Sequence, residues 1–345
     1  MTEASDVLKV LHLTGSAVSD DLDDLSRLYA AGCLAATADP ARYEFHVVHV
    51  SPDGRWRFPA DVSDGAVAAA EPVSLGAALD HVGRLDVDVV VPQMFCLPGM
   101  TAYRGLFDVL GVPYVGNPSS VMALGADKAK ARAVVAAAGV DVPPGRVVRR
   151  GERVTFDVPV VVKPVDADNS LGVTLVREEG DLAPALEAAW EHSGGALVET
   201  YVELGREVRC GVLERDGELV GLPLEEYAVD TATKPVRLAD DKLRRSGDGD
   251  LELVAKDVEH AWIVDPDDPV TAAVHAAARQ CHVALGCRDY SLFDFRIDPS
   301  GRPWFLEASL YNSFSPKSVL ATMAAAAGTG LPELFAEAVR RAAAR

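Results

Sequence analysis

Five cysteines in 345 residues (Cys33, Cys96, Cys210, Cys281 and Cys287) are scattered and odd in number, and no Cys-x-x-Cys pair is present. That excludes a disulfide frame and a cysteine zinc site, and leaves buried or free thiols in a reducing cytosol. Basic residues are also short: 33 Lys and Arg against 52 Asp and Glu give a formal charge of -19. Nucleic acid and anionic membrane both want a basic surface, so neither is expected as a partner. A small anionic ligand stays open, because one local site can be basic on an acidic protein. Aromatics are 6% of the chain, so the cores must be built from Ala, Val and Leu. No apolar run approaches the ~20 residues of a membrane span. The opening MTEASDVLKV has no basic stretch leading into an apolar core, as a secretory signal needs. The expectation is a cytoplasmic protein of two or three domains.

What is present is an alternation of strand and helix patterns. Residues 7–14 read as a strand ending at Gly15-Ser16, and a helix follows from Ser19 or Asp20 to about Ala36. Its apolar face is expected at Leu22, Leu25, Leu28 and Tyr29, with acidic residues in the first turn, where the helix dipole favours them. Strands at 44–50 and 87–92, a helix near 75–84, a helix Ala102–Leu110, a short strand at 113–117 and a helix near 118–124 continue the series. This order suggests a parallel sheet. A break follows: Asp127-Lys128 opens an alanine-rich helix stopped at Gly139, and Pro143-Pro144-Gly145 turns the chain into short strands. Beyond come a helix 180–192, a strand 196–202, a strand pair turned at Asp216-Gly217, a helix 268–284, a hairpin 291–309 and helices from about 316 and 331. The expected domains are 1–120 (α/β), 121–205 (small α+β) and 206–345. Residues 226–262, charged and poorly periodic, are expected as a long surface loop.

Two stretches carry chemistry. In VPVVVKPVDADNSLGVTLV, an apolar strand delivers Lys163, a polar turn through Asn169 and Ser170 follows, and Gly172 leads into a second β-branched run. A lysine charge beside a small-residue loop with free N–H groups is what a phosphate-covering flap needs; an ordinary hairpin is the bland alternative. Farther on, LFDFRIDPSGRPWFLEAS reads as a hairpin turned at Asp298–Gly301. Pairing Ile297 with Arg302 sets Asp294 opposite Phe305 and Glu307 opposite Leu292. Asp294, Arg296, Glu307 and Ser309 then share one face, and Phe293, Phe295, Trp304 and Leu306 the other. Two neighbouring carboxylates repel unless a cation lies between them, and an oxygen-only set suits Mg²⁺. Between the two stretches, Glu199 to Val202 at a strand end and Glu207 beyond it could flank an adenine and meet its ribose.

Together these pieces resemble the ATP-grasp enzymes and, among them, the D-alanine–D-alanine ligase branch, over about residues 87–340. The strongest parts are Asp127-Lys128, VVVKPVDADNSLGV, VETYVELGREV, GCRDYSLFDFRID and FLEASLYNSFSPKS. The resemblance implies an α/β and α+β architecture: an N-terminal α/β domain followed by small and large ATP-grasp domains. It implies ATP and Mg²⁺ as cofactors, small-molecule substrates and a homodimer. Lys128 and Lys163 would hold phosphates and, with Ser170, serve catalysis, and Asn169 and Ser170 would lie in the covering loop. Glu199 and Val202 would flank adenine, Glu207 the ribose, and Lys242 would be a further phosphate lysine. Asp294 and Glu307 would carry the metal.

Departures fall on the substrate side. The branch's arginine two residues before the metal aspartate is Leu292 here, and its asparagine two after the glutamate is Ser309, with Asn312 as a substitute ligand. The histidine- and glycine-rich stretch of the first domain is replaced by Gln93-Met94 and the residues up to Met100. Lys317 and Ser318, at a helix start, either meet the carboxylate of an amino acid substrate or are a plain helix-terminal charge and cap. The segments GSAVSDDLDDLSRLYA, PQMFCLPGMTAYR and FLEASLYNSFSPKSV resemble the ligases that join a free amino acid, such as serine or threonine, to mycosporine-glycine, as in shinorine formation. That likeness implies an ATP-dependent ligase acting through a phosphorylated ring oxygen. A ligase joining two amino acids through an acyl phosphate, and a nucleotide-binding regulator without turnover, are the competing expectations.

Overall fold

The computed structural model describes residues 7–167, 170–230, 235–236, 243–245, 251–253 and 260–345. Contacts divide the chain into two units, Met1–Ala123 with Tyr311–Arg345, and Leu124–Leu310. Residues 311–345, expected with the preceding domain, therefore complete the N-terminal one.

In the first unit, strands β1 (Leu8–Gly15), β2 (Tyr43–Val50), β3 (Trp56–Arg57) and β4 (Val89–Pro92) form a sheet in the order β3-β2-β1-β4. β1 runs parallel to β2 and β4, while β3 is antiparallel to β2. Val10, Leu11, Leu13, Val48, Val50 and Val90 are fully buried, as central parallel strands require. The helix Asp20–Thr37 begins where expected, with Ser19 as its N-cap accepting from the Leu22 N–H. Its inward face differs from the expected one. Leu25, Ala30 and Cys33 are buried along with Asp23 and Ser26, while Leu28 is exposed. The cause is polar: Ser26 Oγ accepts from the Gly15 N–H and donates to the Gln93 carbonyl, each at 2.7 Å, stitching the ends of β1 and β4.

The C-terminal segment joins this unit through the helix Leu331–Ala343, which buries Leu334, Phe335, Ala338, Val339 and Ala342 along one face. Phe335 is fully buried, edge-on to Tyr43, Phe45 and Phe314 at 5.5–5.9 Å and stacked on His12 at 6.2 Å. Burial pushes the His12 imidazole down to about 3, so it is neutral there. Among the described residues no single helix is long and apolar enough to cross a membrane; the two C-terminal helices, Val319–Ala326 and Leu331–Ala343, bend by 110° at their junction.

The second unit contains two main sheets. Strands β5 (Gly145–Arg149), β6 (Val160–Pro164), β7 (Thr174–Val176) and β8 (Gly195–Thr200) form an antiparallel sheet in the order β5-β8-β6-β7. The helix Leu182–Trp190 covers it through Leu182, Ala185, Leu186 and Ala189. The larger sheet takes β9 (Arg206–Arg215), β10 (Glu218–Gly221) and β11 (Glu225–Tyr227). A separate antiparallel pair, β12 (Leu243–Arg245) and β13 (Leu251–Leu253), lies in the stretch expected to be a loop. Three further strands, β14 (Ala261–Ile263), β15 (Tyr290–Ile297) and β16 (Pro303–Ser309), complete the larger sheet. Its order is β14-β11-β9-β15-β16, with β10 on β9. Thus part of 226–262 is strand, and β14 pairs with β11.

The β15–β16 turn is organised by Asp298. Its carboxylate accepts from the backbone N–H groups of Ser300 and Arg302, the Ser300 hydroxyl and Trp304 Nε1. Those donors, Ser300 and Trp304 first, hold its pKa down at about 2 from 3.8. A depressed carboxylate stabilises the fold above the unfolded value and loses that contribution as pH falls toward the folded one. Asp298→Asn is therefore expected to melt lower than wild type at pH 7, with the gap closing between pH 4 and pH 2. A gap that persists unchanged at pH 2 would contradict this account.

All five cysteines are buried and free, as expected from their scatter. Burial pushes the Cys33, Cys210 and Cys287 thiols up to about 12, which keeps them protonated and unreactive.

Candidate active site

Within the second unit, a cleft of about 820 Å³ including its open mouth is lined by both sheets. Lys128, Lys163, Ser170, Glu199, Val202, Glu207, Asp294 and Glu307 all line it. Residues separated by up to 180 positions in sequence are thus brought to one cavity.

Lys163 stands near the end of β6, and its ammonium contacts Glu199 Oε2 on β8 at 2.6 Å and the Leu306 carbonyl at 3.3 Å. Strand order explains the first contact, because β6 and β8 are antiparallel neighbours. Lys128 opens the helix Lys128–Ala137, which Asp127 caps by accepting from the Lys130 N–H. Its ammonium donates to the Ala167 carbonyl and lies 3.6 Å from Glu307 Oε1. Both lysines are buried. The flap between β6 and β7 holds Ser170 at φ +58° and Gly172 at φ +67°. A Cβ on Gly172 would meet Pro164 and His192 at 2.9 Å, so the close approach requires glycine.

The hairpin register differs from the expected one by a single residue, and the difference matters. Ile297 pairs with Pro303, Arg296 with Trp304 and Phe295 with Phe305; the register then slips, so that Asp294 faces Glu307 and Leu292 faces Ser309. Leu306 is the extra residue of a β-bulge. The longer turn puts Phe305 into the core beside Phe293 and Phe295, where Trp304 and Leu306 had been expected. The bulge then returns Glu307 to the cleft, directly opposite Asp294. Leu306 lines the cleft and accepts from Lys163 through its carbonyl.

Every cleft carboxylate is paired with a cation. Asp294 is gripped by Arg209 of β9 through both oxygens, one contact at 2.7 Å. Glu207 meets Arg296 at 2.8 Å, and Glu199 meets Arg132 at 3.0 Å in addition to Lys163. Burial works against the charge on Arg209, yet Asp294, Tyr227 and Glu225 together hold its guanidinium well above the ordinary arginine value. Arg132 and Arg209 were not singled out from sequence. The alternation Arg206-Glu207-Val208-Arg209-Cys210 on one strand was the available signal, but only sheet order reveals its partners. Glu199, expected beside adenine, lines the cleft and pairs with Lys163 through its side chain. The Val202 carbonyl accepts from Arg296 at 3.3 Å.

As a metal site, the Asp294–Glu307 pair offers carboxylate oxygens only. Among the described residues no group of three or more His, Cys, Asp or Glu converges. Two carboxylates with the remaining positions left to phosphate and water is the donor set Mg²⁺ favours, so the residues fit.

Other expected site residues lie elsewhere. Gln93 and Met94 belong to the first unit and are fully buried, Gln93 Nε2 contacting His12 Nδ1 at 2.9 Å. Both pack within that unit's core. Asn312 is also buried in the first unit, its Nδ2 without a hydrogen-bond partner among the described residues. In the same unit, Ser318 caps the helix Val319–Ala326 by accepting from the Ala321 N–H, and Lys317 is exposed. Leu292 is buried on β15. Asn169 and Lys242 lie outside the described residues.

The family profile described as "D-ala D-ala ligase C-terminus" matches residues 145–340. The D-alanine–D-alanine ligase of Mycolicibacterium smegmatis is 30% identical over 352 aligned positions, covering 92% of this chain and 91% of that protein. Among solved structures, the D-alanine–D-alanine ligase of Coxiella burnetii superimposes with a TM-score of 0.77 at 20% identity, covering 98% of this chain and 96% of that one. The Bacillus anthracis D-alanine–D-alanine ligase complexed with ATP gives 0.70 at 19% identity, covering 98% and 99%.

Proposed function

This chain belongs to the D-alanine–D-alanine ligase family, ATP-grasp ligases that form C–N bonds, and from that premise we propose that it uses ATP to activate a carboxylate and joins the activated group to the amine of a free amino acid. The observation that carries this reading is the cleft itself: two buried lysines, Lys128 and Lys163, beside the paired carboxylates Asp294 and Glu307. The lysines would bind the anionic phosphates, and the carboxylates would hold Mg²⁺. When bound, the metal supplies positive charge to the phosphate oxygens. Lys128 and Lys163 neutralise the charge that builds up as phosphate moves, and Ser170 lies in the flap between β6 and β7.

The chemistry balances in two steps. A carboxylate oxygen attacks the terminal phosphorus of ATP, and the bond to ADP breaks. The free amine then attacks the acyl carbon, the carbon–oxygen bond to phosphate breaks, and the proton lost from nitrogen leaves on the released phosphate, giving an amide. Positioning and charge neutralisation supply the rate, with little need for a side-chain base.

One observation favours a second reading. On β15 the position two residues before Asp294 is the buried Leu292, where this branch usually carries arginine. No tetrahedral oxyanion forms from a carboxylate if the phosphorylated group is the ring oxygen of a cyclohexenone conjugated to an amine, as in mycosporine-glycine. An amino acid then expels phosphate to give an imine.

Purified protein with Mg-ATP and amino acids alone, and then with mycosporine-glycine added, separates these readings. ADP release with amino acids alone is the expected result. Release only with the cyclohexenone, with a red-shifted imine absorbance, replaces the first reading with the second. ATP binding without turnover on either panel sinks both and favours a regulator. Light scattering of the same sample tests the homodimer that the family likeness implies.

A further inference from the structure

Arg209 sits in a row of charges that crosses four neighbouring strands. Glu225 on β11 is in register with Arg209 on β9, Arg209 with Asp294 on β15, and Asp294 with Glu307 on β16. Residues directly opposite in antiparallel strands point to the same face, about 4.5–5.5 Å apart at Cβ. Arg209 therefore stands between two carboxylates on one face of the sheet. It grips Asp294 through both oxygens. Glu225 is 4% exposed, and its Oε2 has no hydrogen-bond partner among the described residues. On the far side of Glu225 the register neighbour is Ile263, which offers no donor from its side chain. A buried carboxylate oxygen without a donor is costly, and natural proteins keep few of them without a reason. The Arg209 guanidinium already lies 5.7 Å from the ring of Tyr227, two residues beyond Glu225 on the same strand.

We propose that Arg209 is a positioning residue with two stations, paired with Asp294 while no divalent cation is bound and passed to Glu225 when that cation takes Asp294. The inference rests on the magnesium reading above. Without a second station, a cation arriving at Asp294 would displace Arg209 into a buried position beside like charge, and metal binding would be opposed. With Glu225 waiting, the exchange leaves each charge with a partner: metal on Asp294 and Glu307, and Arg209 on Glu225. It also releases Lys128 from Glu307, making that ammonium available to phosphate. Metal and nucleotide then bind cooperatively through side-chain exchange.

Mn²⁺, visible by electron paramagnetic resonance, is the probe, titrated into the full chain with a non-hydrolysable ATP analogue. Glu225→Gln removes the second station and is expected to weaken Mn²⁺ binding about tenfold, within the usual range of coupling between sites. Arg209→Met removes the competitor for Asp294 and is expected to tighten Mn²⁺ binding in the absence of nucleotide. Opposite signs from two residues that do not ligate the metal are not the outcome of a general loss of packing. Unchanged Mn²⁺ affinity in Glu225→Gln, or shifts of the same sign in both variants, overturns the proposal while leaving the magnesium reading intact. No Mn²⁺ binding by wild type overturns both. If Arg209→Met fails to fold, Glu225→Gln at an unchanged melting temperature decides the matter alone.

Discussion

Lys163→Ala is expected to lower substrate-dependent phosphate release by about 10²–10³-fold, the loss seen when one preorganised charge-stabilising donor is removed from a reacting centre. Its fold should survive. Glu199, which loses the 2.6 Å contact with Lys163, keeps Arg132 at 3.0 Å, so no buried carboxylate is stranded. Lys163→Arg should not restore the rate. The fork of a guanidinium is wider than an ammonium and already has Glu199 and the Leu306 carbonyl to satisfy in a confined space. Phosphate release and a thermal melt on the same preparation check both halves of the expectation. Activity within about threefold of wild type would remove Lys163 from the chemistry and reduce the flap to an ordinary hairpin.

Phe335→Ala carries the largest expected cost in stability, about 3–5 kcal/mol, as for other fully buried phenylalanines truncated in a close-packed core. Its ring touches Tyr43, Phe45, Phe314 and His12, which come from both ends of the chain. The first unfolding transition in urea should shift, while the transition of the Leu124–Leu310 unit holds. Phe335→Leu, which keeps most of the volume, should cost less than about 1.5 kcal/mol. A Phe335→Ala cost below 1 kcal/mol would mean that the C-terminal helix is not what closes this core.

Much of this molecule was legible because its signals are local. An apolar strand ending in Lys163, a small-residue turn and Gly172 can be read from twenty consecutive residues. So can the two carboxylates on a hairpin, and Asp127 before an alanine-rich helix. The bulge at Leu306 was not legible. It arises from competition between Phe305, which needs the core, and Glu307, which needs the cleft, and a strict two-residue period satisfies only one of them. The cation partners were hidden for a different reason. Arg209 meets Asp294 only because β9 lies beside β15, and nothing near residue 209 announces residue 294. The inward face of the first helix was misjudged because Asp23 and Ser26 are buried for their hydrogen bonds, whereas hydropathy ranks them as surface. Gln93 is buried for a like reason, its Nε2 lying 2.9 Å from His12 Nδ1, which hydropathy does not announce.

The return of residues 311–345 to the first unit has a consequence for the order of synthesis. A ribosome delivers β1, β2 and β4 long before it delivers Phe335. At about 5–20 residues per second, the wait after β4 is roughly ten to fifty seconds. During that interval the aromatic faces of Tyr43 and Phe45 have no lid, and the unit born first is finished last. The nascent chain would then present an unfilled half-core while the second unit folds behind it.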